Sequence, residues 1–310
     1  MGYRTIKTVI AFVLAIAIAE AIHLPLATFA GIAAVAGIQT TRLKTVQFSL
    51  TIFCSALISI ALSSVGFLLL GFSYLALGLI VLFLIPILVR LRFQHGIVLS
   101  IVVLAHFYGM REITWQSLGN EVLLTVIGLG LSFLFNLFYM PDVAKPINRV
   151  KEELNQTMSA IFVHLAEHLK TKDYLWDGKE LLELEKLLQE GYRLAHIFGE
   201  NRFQIGHNPY LAYFINKERQ AEILQQILYH LSRVDEPMEQ GVMLANHLEE
   251  LSDDLLQGKK LSRWSNRLEG LHQSYEQMPL PTTRHEFEMR AALLQVLLEM
   301  KRFILLESGD

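Results

Sequence analysis

The chain has 310 residues, 52% of them hydrophobic, with a mean hydropathy of +0.36 and a formal net charge of −3. Residues 1–140 hold seven Lys/Arg and three Asp/Glu, and residues 141–310 hold twenty and twenty-seven, so the halves stand at +4 and −7. An apolar, weakly basic half joined to an acidic, amphipathic half predicts a membrane domain over 1–141 and a water-soluble one over 142–310, and it argues against nucleic acid as a partner. The one cysteine, Cys54, sits in an apolar run. It reads as a small buried apolar residue and offers neither an intramolecular disulfide nor a cysteine metal site.

Six apolar segments come first, at about 5–22, 25–40, 48–70, 73–89, 96–110 and 122–140. A spanning helix needs about 20 apolar residues. The first, third, fourth and sixth segments meet this. The second and fifth, with about 15 strongly apolar residues each, need polar flanks, a thinned bilayer or a broken path.

The first segment resembles a signal peptide, with Arg4 and Lys7 ahead of an apolar run and Ala19-Glu20-Ala21 at its end. The run leads straight into further membrane segments, so it is expected to stay as an uncleaved first span. The second segment carries Ala27, Ala30, Gly31, Ala33, Ala34, Ala36 and Gly37, small residues that let a neighbouring helix come close. Ser55, Ser59 and Ser63 lie four apart in the third, and Gly128, Ser132 and Asn136 four apart in the sixth. The serines read as packing residues before a polar lining. Asn136 is open to either role, because an amide in hydrocarbon needs a partner.

Basic residues set the orientation. Arg4, Lys7, Arg42, Lys44, Arg90, Arg92, Lys145, Arg149 and Lys151 fall on one side of a six-span arrangement, and Arg111 alone falls on the other. Both termini are therefore expected in the cytoplasm of a multi-pass protein. Six spans divide three and three with opposite senses, and the short second and fifth are the middle ones of each half. Paired short segments of this kind point toward a transporter's binding site, although ordinary helices in thinned bilayer explain them equally.

After Pro141 the apolar period becomes that of an amphipathic helix, with the stripe Leu154, Met158, Ile161, Leu165 and Leu169. Further helices are expected at about 178–199, 210–233, 236–257, 260–277 and 283–306. Asp177 with Glu180 and Thr283 with Glu286 have capping-box spacing, and Pro237 suits a first helical turn. Met278-Pro279-Leu280-Pro281 is a rigid break. No alternating runs point to strands, so the whole chain is expected to be all-α. His164-Leu165-Ala166-Glu167-His168 has the H-x-x-E-H spacing of inverted zinc peptidases. The motif is short, its third ligand is missing nearby, and an ordinary helix surface is the commoner source. Arg219 near Tyr210, Tyr213 and Phe214 offers an anion contact, against the commoner surface ion pair.

Ile6-Lys7-Thr8 before an Ala-rich helix, the stretch Ala33 to Thr41 ending in Gln39-Thr40-Thr41, and Gly128-Leu129-Gly130 leading to Asn136 and Pro141 follow one pattern with the six-span layout. Together they resemble the bacterial aromatic acid exporter family, within the wider fusaric-acid-resistance-like superfamily. The tail, with Asn201 and Arg219-Gln220, resembles that family's C-terminal domain. The resemblance implies an exporter in a bacterial plasma membrane. Its relatives are linked to efflux of aromatic carboxylates and, in plants, to malate-conducting anion channels.

The expected function is therefore a membrane exporter or anion pathway for small aromatic or other carboxylates, working as a homo-oligomer in the lipid bilayer and not as an enzyme. No phosphate-binding Gly-rich loop appears and no cofactor is expected. Arg42, Arg90, Arg92 and His95, with Gly96 opening a helix, are candidates for an inner anion vestibule beside Asn136, although topology alone would also require the arginines. Glu20 and His106, at the outer ends of spans, are candidates for proton coupling. The alternative is a membrane-anchored interaction or sensor protein whose cytoplasmic helical domain binds a partner or ligand. An enzyme built on His164, Glu167 and His168 ranks third. The topology predicts that cysteines placed singly at position 111 are labelled from outside, and those at 43, 91 and 200 only from inside. Outside labelling at 200 would overturn it.

Overall fold

The computed structural model describes residues 3–138, 142–171, 174–204, 208–259 and 261–307, with the backbone alone at 3, 4 and 307. The Arg4 side chain, Pro141 and position 260, where a helix was expected to start, lie outside the described residues. The regular elements among the described residues are helices. They are α1 (Tyr3–Ala21), α2 (Thr28–Gly37), α3 (Arg42–Leu70), α4 (Tyr74–Arg90), α5 (Ile97–Met110), α6 (Trp115–Phe138), α7 (Ala144–Lys170), α8 (Lys179–Arg202), α9 (Pro209–Leu231), α10 (Glu239–Leu256), α11 (Trp264–Glu276) and α12 (Arg284–Glu307). The chain divides into two compact units, Met1–Pro141 with Glu200–Gln204, and Asp142–Gly199 with Ile205–Asp310.

In the first unit the caps move several boundaries. The Thr41 hydroxyl accepts from Lys44 N at 3.4 Å, so α3 begins at Arg42, six residues earlier than expected. Arg42 and Lys44 therefore occupy a helix's first turn, not a loop. Thr114 and Ser117 cap each other reciprocally, Ser117 N donating to Thr114 Oγ1 at 3.1 Å and Thr114 N to Ser117 Oγ at 2.9 Å. That pair starts α6 at Trp115 instead of 122 and draws Asn120 and Glu121 into a helix. At its start α2 is cut short by Pro25 and by Leu26 with φ +60°, and at its end by the extended Ile38. Its ten residues rise about 15 Å, half of a hydrocarbon core about 30 Å thick. By length and composition α3 and α6 are long and apolar enough to cross a bilayer. The helices α2, α4 and α5 are shorter apolar helices, α5 being extended by the 3₁₀ turn Gln94–Gly96.

Small residues let these helices meet. α2 packs on α6 and α1, and α3 on α5, α6 and α4. A Cβ on Gly128 would stand 2.3 Å from Ala30 O and 2.6 Å from Ala33 Cβ, and one on Gly37 would stand 2.1 Å from Ser132 Oγ. The serine row of α3 turns toward α5, where Ser59 Oγ donates to Ser100 O at 2.6 Å and Ser55 fills the space a Gly96 side chain would need. Gly96 is thus a site of close approach between helices.

The second unit packs α7 against α10, α9 against α12, and α11 against α12. All five residues of the Leu154–Leu169 stripe are buried, and Phe162 meets Phe303 edge to face with centroids 5.1 Å apart. Pro237 does not enter a first turn, because α10 starts at Glu239 after an extended Met238. Asp177 caps Lys179 N at 3.3 Å, but Glu180 turns to Trp176 Nε1 at 2.5 Å instead of closing the box. The other box forms one residue out of step, with Glu286 accepting from Thr282 N at 2.8 Å and Thr283 Oγ1 accepting from Glu286 N at 3.1 Å.

Asp254, 4% exposed, anchors the turn into α11. Burial pushes its carboxyl up, but hydrogen bonds from Arg263, from Trp264 Nε1 at 2.9 Å and from Lys259 at 3.2 Å outweigh burial and hold it at about 2. A folded value below the ordinary one means the stabilisation is present above about pH 4 and is lost as pH falls through about 2. The shift is worth roughly 2 kcal/mol at neutral pH. Asp254→Asn in the full chain should lower the stability of this unit by about that amount at pH 7 and flatten its acid limb below about pH 4. Thermal melts followed by circular dichroism across that range would show it, and an unchanged acid limb would refute it.

Candidate functional site

A line of buried polar residues runs along one face of α6. Glu121, Thr125, Ser132 and Asn136 are all enclosed, with Gly128 between them on the same stripe. Their spacing of three and four residues keeps them in line over about 22 Å of helix rise. Hydrocarbon supplies no partner for such groups, so each must find one inside the protein.

At the C-terminal end of α6 the Asn136 amide, 1% exposed, ties four elements together. Asn136 Nδ2 donates to Gln39 O at 3.1 Å, just past α2, and to Thr45 Oγ1 on α3. Asn136 Oδ1 accepts from Lys7 Nζ on α1. Lys7 is 7% exposed, although the sequence reading places it in an inner loop as a topology signal. The cavity beside this cluster, lined by Arg42, Thr45, Phe133, Asn136, Leu137 and Phe203, has a volume of about 10 Å³ and admits nothing larger than a water.

At the N-terminal end of α6, Glu121 is fully enclosed and both its oxygens meet His106 Nδ1 on α5, at 3.0 and 3.1 Å. His106 stands edge-on to Phe29 of α2, with centroids 5.1 Å apart, and leaves 17% of its side chain exposed. One helical position away, Asn120 Nδ2 donates to Pro25 O at 3.1 Å, while Asn120 Oδ1 is buried with no hydrogen-bond partner among the described residues. Between the two ends, the α2–α6 seam is closed by Gly128 against Ala30 and Ala33, and by Ser132 against Gly37.

The sequence candidates distribute unevenly over this geometry. Asn136 and His106 are at the two polar clusters. Glu20 is exposed on α1 and makes no bond to His106. Arg90 and Arg92 are exposed at the end of α4 and just past it, with Arg92 at φ +62°. His95 is exposed and stacks on Phe48 with centroids 4.4 Å apart. Arg42 is half-buried in the first turn of α3, where its backbone N–H donates to Asn201 Oδ1 at 3.1 Å. Lys44 in the same turn pairs with Glu200 at 3.3 Å. No hydrogen bond or ring contact joins the four vestibule candidates to one another among the described residues. Sequence reasoning missed Lys7 and Glu121 as interior groups. Glu121 lies four residues before Thr125 and eleven before Ser132, a helical spacing that extends the polar face already visible from Gly128 to Asn136.

In the second unit, His164 bonds Tyr174 Oη at 2.7 Å, lies 3.6 Å from Glu180 and stacks on Trp176. No group of three or more His, Cys, Asp or Glu among the described residues could hold a metal ion. Arg219 is exposed, and Lys151 covers the Tyr213 ring at 4.1 Å. A cavity of about 440 Å³ between α10, α11 and α12 is mostly apolar, and its Arg290 is engaged by Pro279 O and Glu286.

Comparisons with known proteins place both halves in one family. Residues 1–140 match “Aromatic acid exporter family member 1”, and residues 144–308 match “Putative aromatic acid exporter C-terminal domain”. The chain is 34% identical over 308 residues to the uncharacterized protein YqjA of Bacillus subtilis (strain 168), covering 99% of this chain and 95% of that one. It is 21% identical to the solved “putative membrane protein from Clostridium difficile 630”, with a TM-score of 0.44 over 52% of this chain and 96% of that one.

If Asn136 stabilises the buried Lys7 ammonium, Asn136→Leu should destabilise the full-length protein in detergent by roughly 1–3 kcal/mol. Adding Lys7→Met should recover much of that loss, since removing both polar partners is milder than orphaning one. Additive losses in thermal midpoint would show that the pair is not coupled.

Proposed function

The chain belongs to the aromatic acid exporter family, and from that premise we propose that it exports small aromatic or other carboxylates through its apolar half. Membership supports a membrane protein of transport and not an enzyme. The observation that carries the reading is the enclosed polar face of α6, a helix long and apolar enough to span. Polar groups turned inward on such helices mark substrate and ion paths, because in hydrocarbon they are too costly to keep for packing alone. Small residues along the same seam let α2 and α6 separate or close with little side-chain rearrangement.

In this reading α1 to α6 cross or enter the bilayer in six segments, both termini lie in the cytoplasm, and α7 to α12 form a cytoplasmic bundle. The nine-to-one distribution of basic residues supports that orientation. α2 and α5 then reach only part-way and meet the long helices at mid-depth, as in transporters whose sites sit at interrupted helices. The Lys7–Asn136 cluster closes the inner end, and Arg42, Arg90 and Arg92 on that side raise the local concentration of anions. The subunits assemble as homo-oligomers through the exposed apolar faces of the spans.

The test is flux of terephthalate, an aromatic dicarboxylate ionised at neutral pH, in proteoliposomes of the full chain against protein-free vesicles. Attraction by exposed charges is screened over about 8 Å at physiological ionic strength. Arg92→Gln should therefore slow flux more at low salt than at high salt, once its orientation is verified. A parent that carries no terephthalate, alone or in exchange, would sink the substrate class. Equal rates for parent and variant at every salt concentration would leave Arg92 as a topology signal alone.

A further inference from the structure

Of the ionisable groups in the apolar unit, Glu121 is enclosed completely, and its described side-chain partner is a histidine that is itself partly exposed. An ionised carboxylate in such surroundings is costly unless its charge is compensated, and adding one proton removes the charge altogether. Histidine is the side chain suited to delivering that proton, because its two ring nitrogens can bind on one side and release on the other. Here Nδ1 faces both Glu121 oxygens, while 17% of the His106 side chain stays open.

We propose that His106 and Glu121 form a proton-binding site that couples proton entry to substrate export. The proposal rests on the export reading above and on its outward placement of the α5–α6 connection. In the resting pair, imidazole Nδ1–H donates to the Glu121 carboxylate. A proton arriving from the outer side binds Nε2, and the Nδ1 proton passes to a Glu121 oxygen. The products are a neutral imidazole protonated at Nε2 and a neutral carboxylic acid, so one proton has entered and one negative charge has gone. When the unit opens inward, the acid releases that proton to the inner side. The imidazole returns to its first tautomer by exchanging protons with solvent at its open face.

The surroundings favour this pair over its neighbours. α2 presents Phe29 to His106, and on α6 the Thr125 hydroxyl is spent on the Glu121 backbone carbonyl at 2.8 Å, not on its carboxylate. The other titratable groups at this end are Glu20, His23, Tyr74, Tyr108, Arg111 and Glu112. None of them bonds to the pair among the described residues, and Arg111 is engaged by Phe72 O and Tyr108. Glu20, the other coupling candidate, is exposed.

Two measurements on the full chain test it. Infrared difference spectra between about pH 6 and 9, where surface carboxylates stay ionised, should show a carboxylic-acid C=O band. That band should shift in D2O, vanish in Glu121→Gln and move its pH midpoint in His106→Gln. Absence of the band in the parent, or its persistence in Glu121→Gln, would overturn the site whether or not the protein transports anything. In terephthalate-loaded vesicles carrying an internal pH dye, external acid should cause terephthalate-dependent proton entry in the parent and in Glu20→Gln. Glu121→Gln and His106→Gln should lose it. Terephthalate leaving the parent at the same rate with and without the acid step would overturn coupling while leaving the export reading intact. A parent that carries no terephthalate would sink the export reading and leave the infrared result to decide the site.

Discussion

The apolar unit depends on how closely α2 lies against α6. Gly128 leaves no room for a side chain beside Ala30, and Gly37 none beside Ser132. In lipid, helices gain little from burying one apolar surface against another, so association rests on backbone proximity and on polar groups that find partners. The α2–α6 seam supplies the first, and the stripe from Glu121 to Asn136 supplies the second. Because α2 is only ten residues long, its contact covers the middle of α6 and leaves both polar ends to be completed by other elements. α5 completes one end through His106, and α1 and α3 complete the other through Lys7 and Thr45.

That division gives the two ends different chemistry. At Asn136, an amide bridges hydroxyl, carbonyl and ammonium, and the groups are fixed donors or acceptors. At Glu121, a carboxylate meets a ring nitrogen of His106, so both partners are ionisable side chains. The cavity near Asn136 is too small for a carboxylate.

The second unit follows different rules. Its helices bury regular stripes in a core that includes Trp264, Phe162 and Phe303, and its stabilising charges sit at turns, as Asp254 does beside Arg263 and Lys259. Its histidine motif is occupied locally, His164 being sandwiched among Tyr174, Trp176 and Glu180. The family likeness spans both units, so this bundle belongs to the exporter as a whole.

By itself the sequence determined the properties that depend on composition and period. The all-helical class, the apolar first half, the amphipathic stripe Leu154–Leu169 and the family were legible because burial and helix period leave a regular mark on the chain. Small residues at Gly37 and Gly128 announced close helix contact for the same reason. Helix starts at Arg42 and Trp115 were harder, since a Thr cap shows little beyond its own residue type. What only the tertiary structure decided is which polar residues face inward and which meet. Lys7 reads as a loop charge until α1 is seen to turn it onto Asn136, and Glu121 reads as an outer surface group until the Thr114–Ser117 cap draws it into α6 beneath His106. These pairings join residues 129 and 15 positions apart. Local sequence carries no record of such meetings, because they are set by the packing of whole helices and not by the preferences of neighbouring residues.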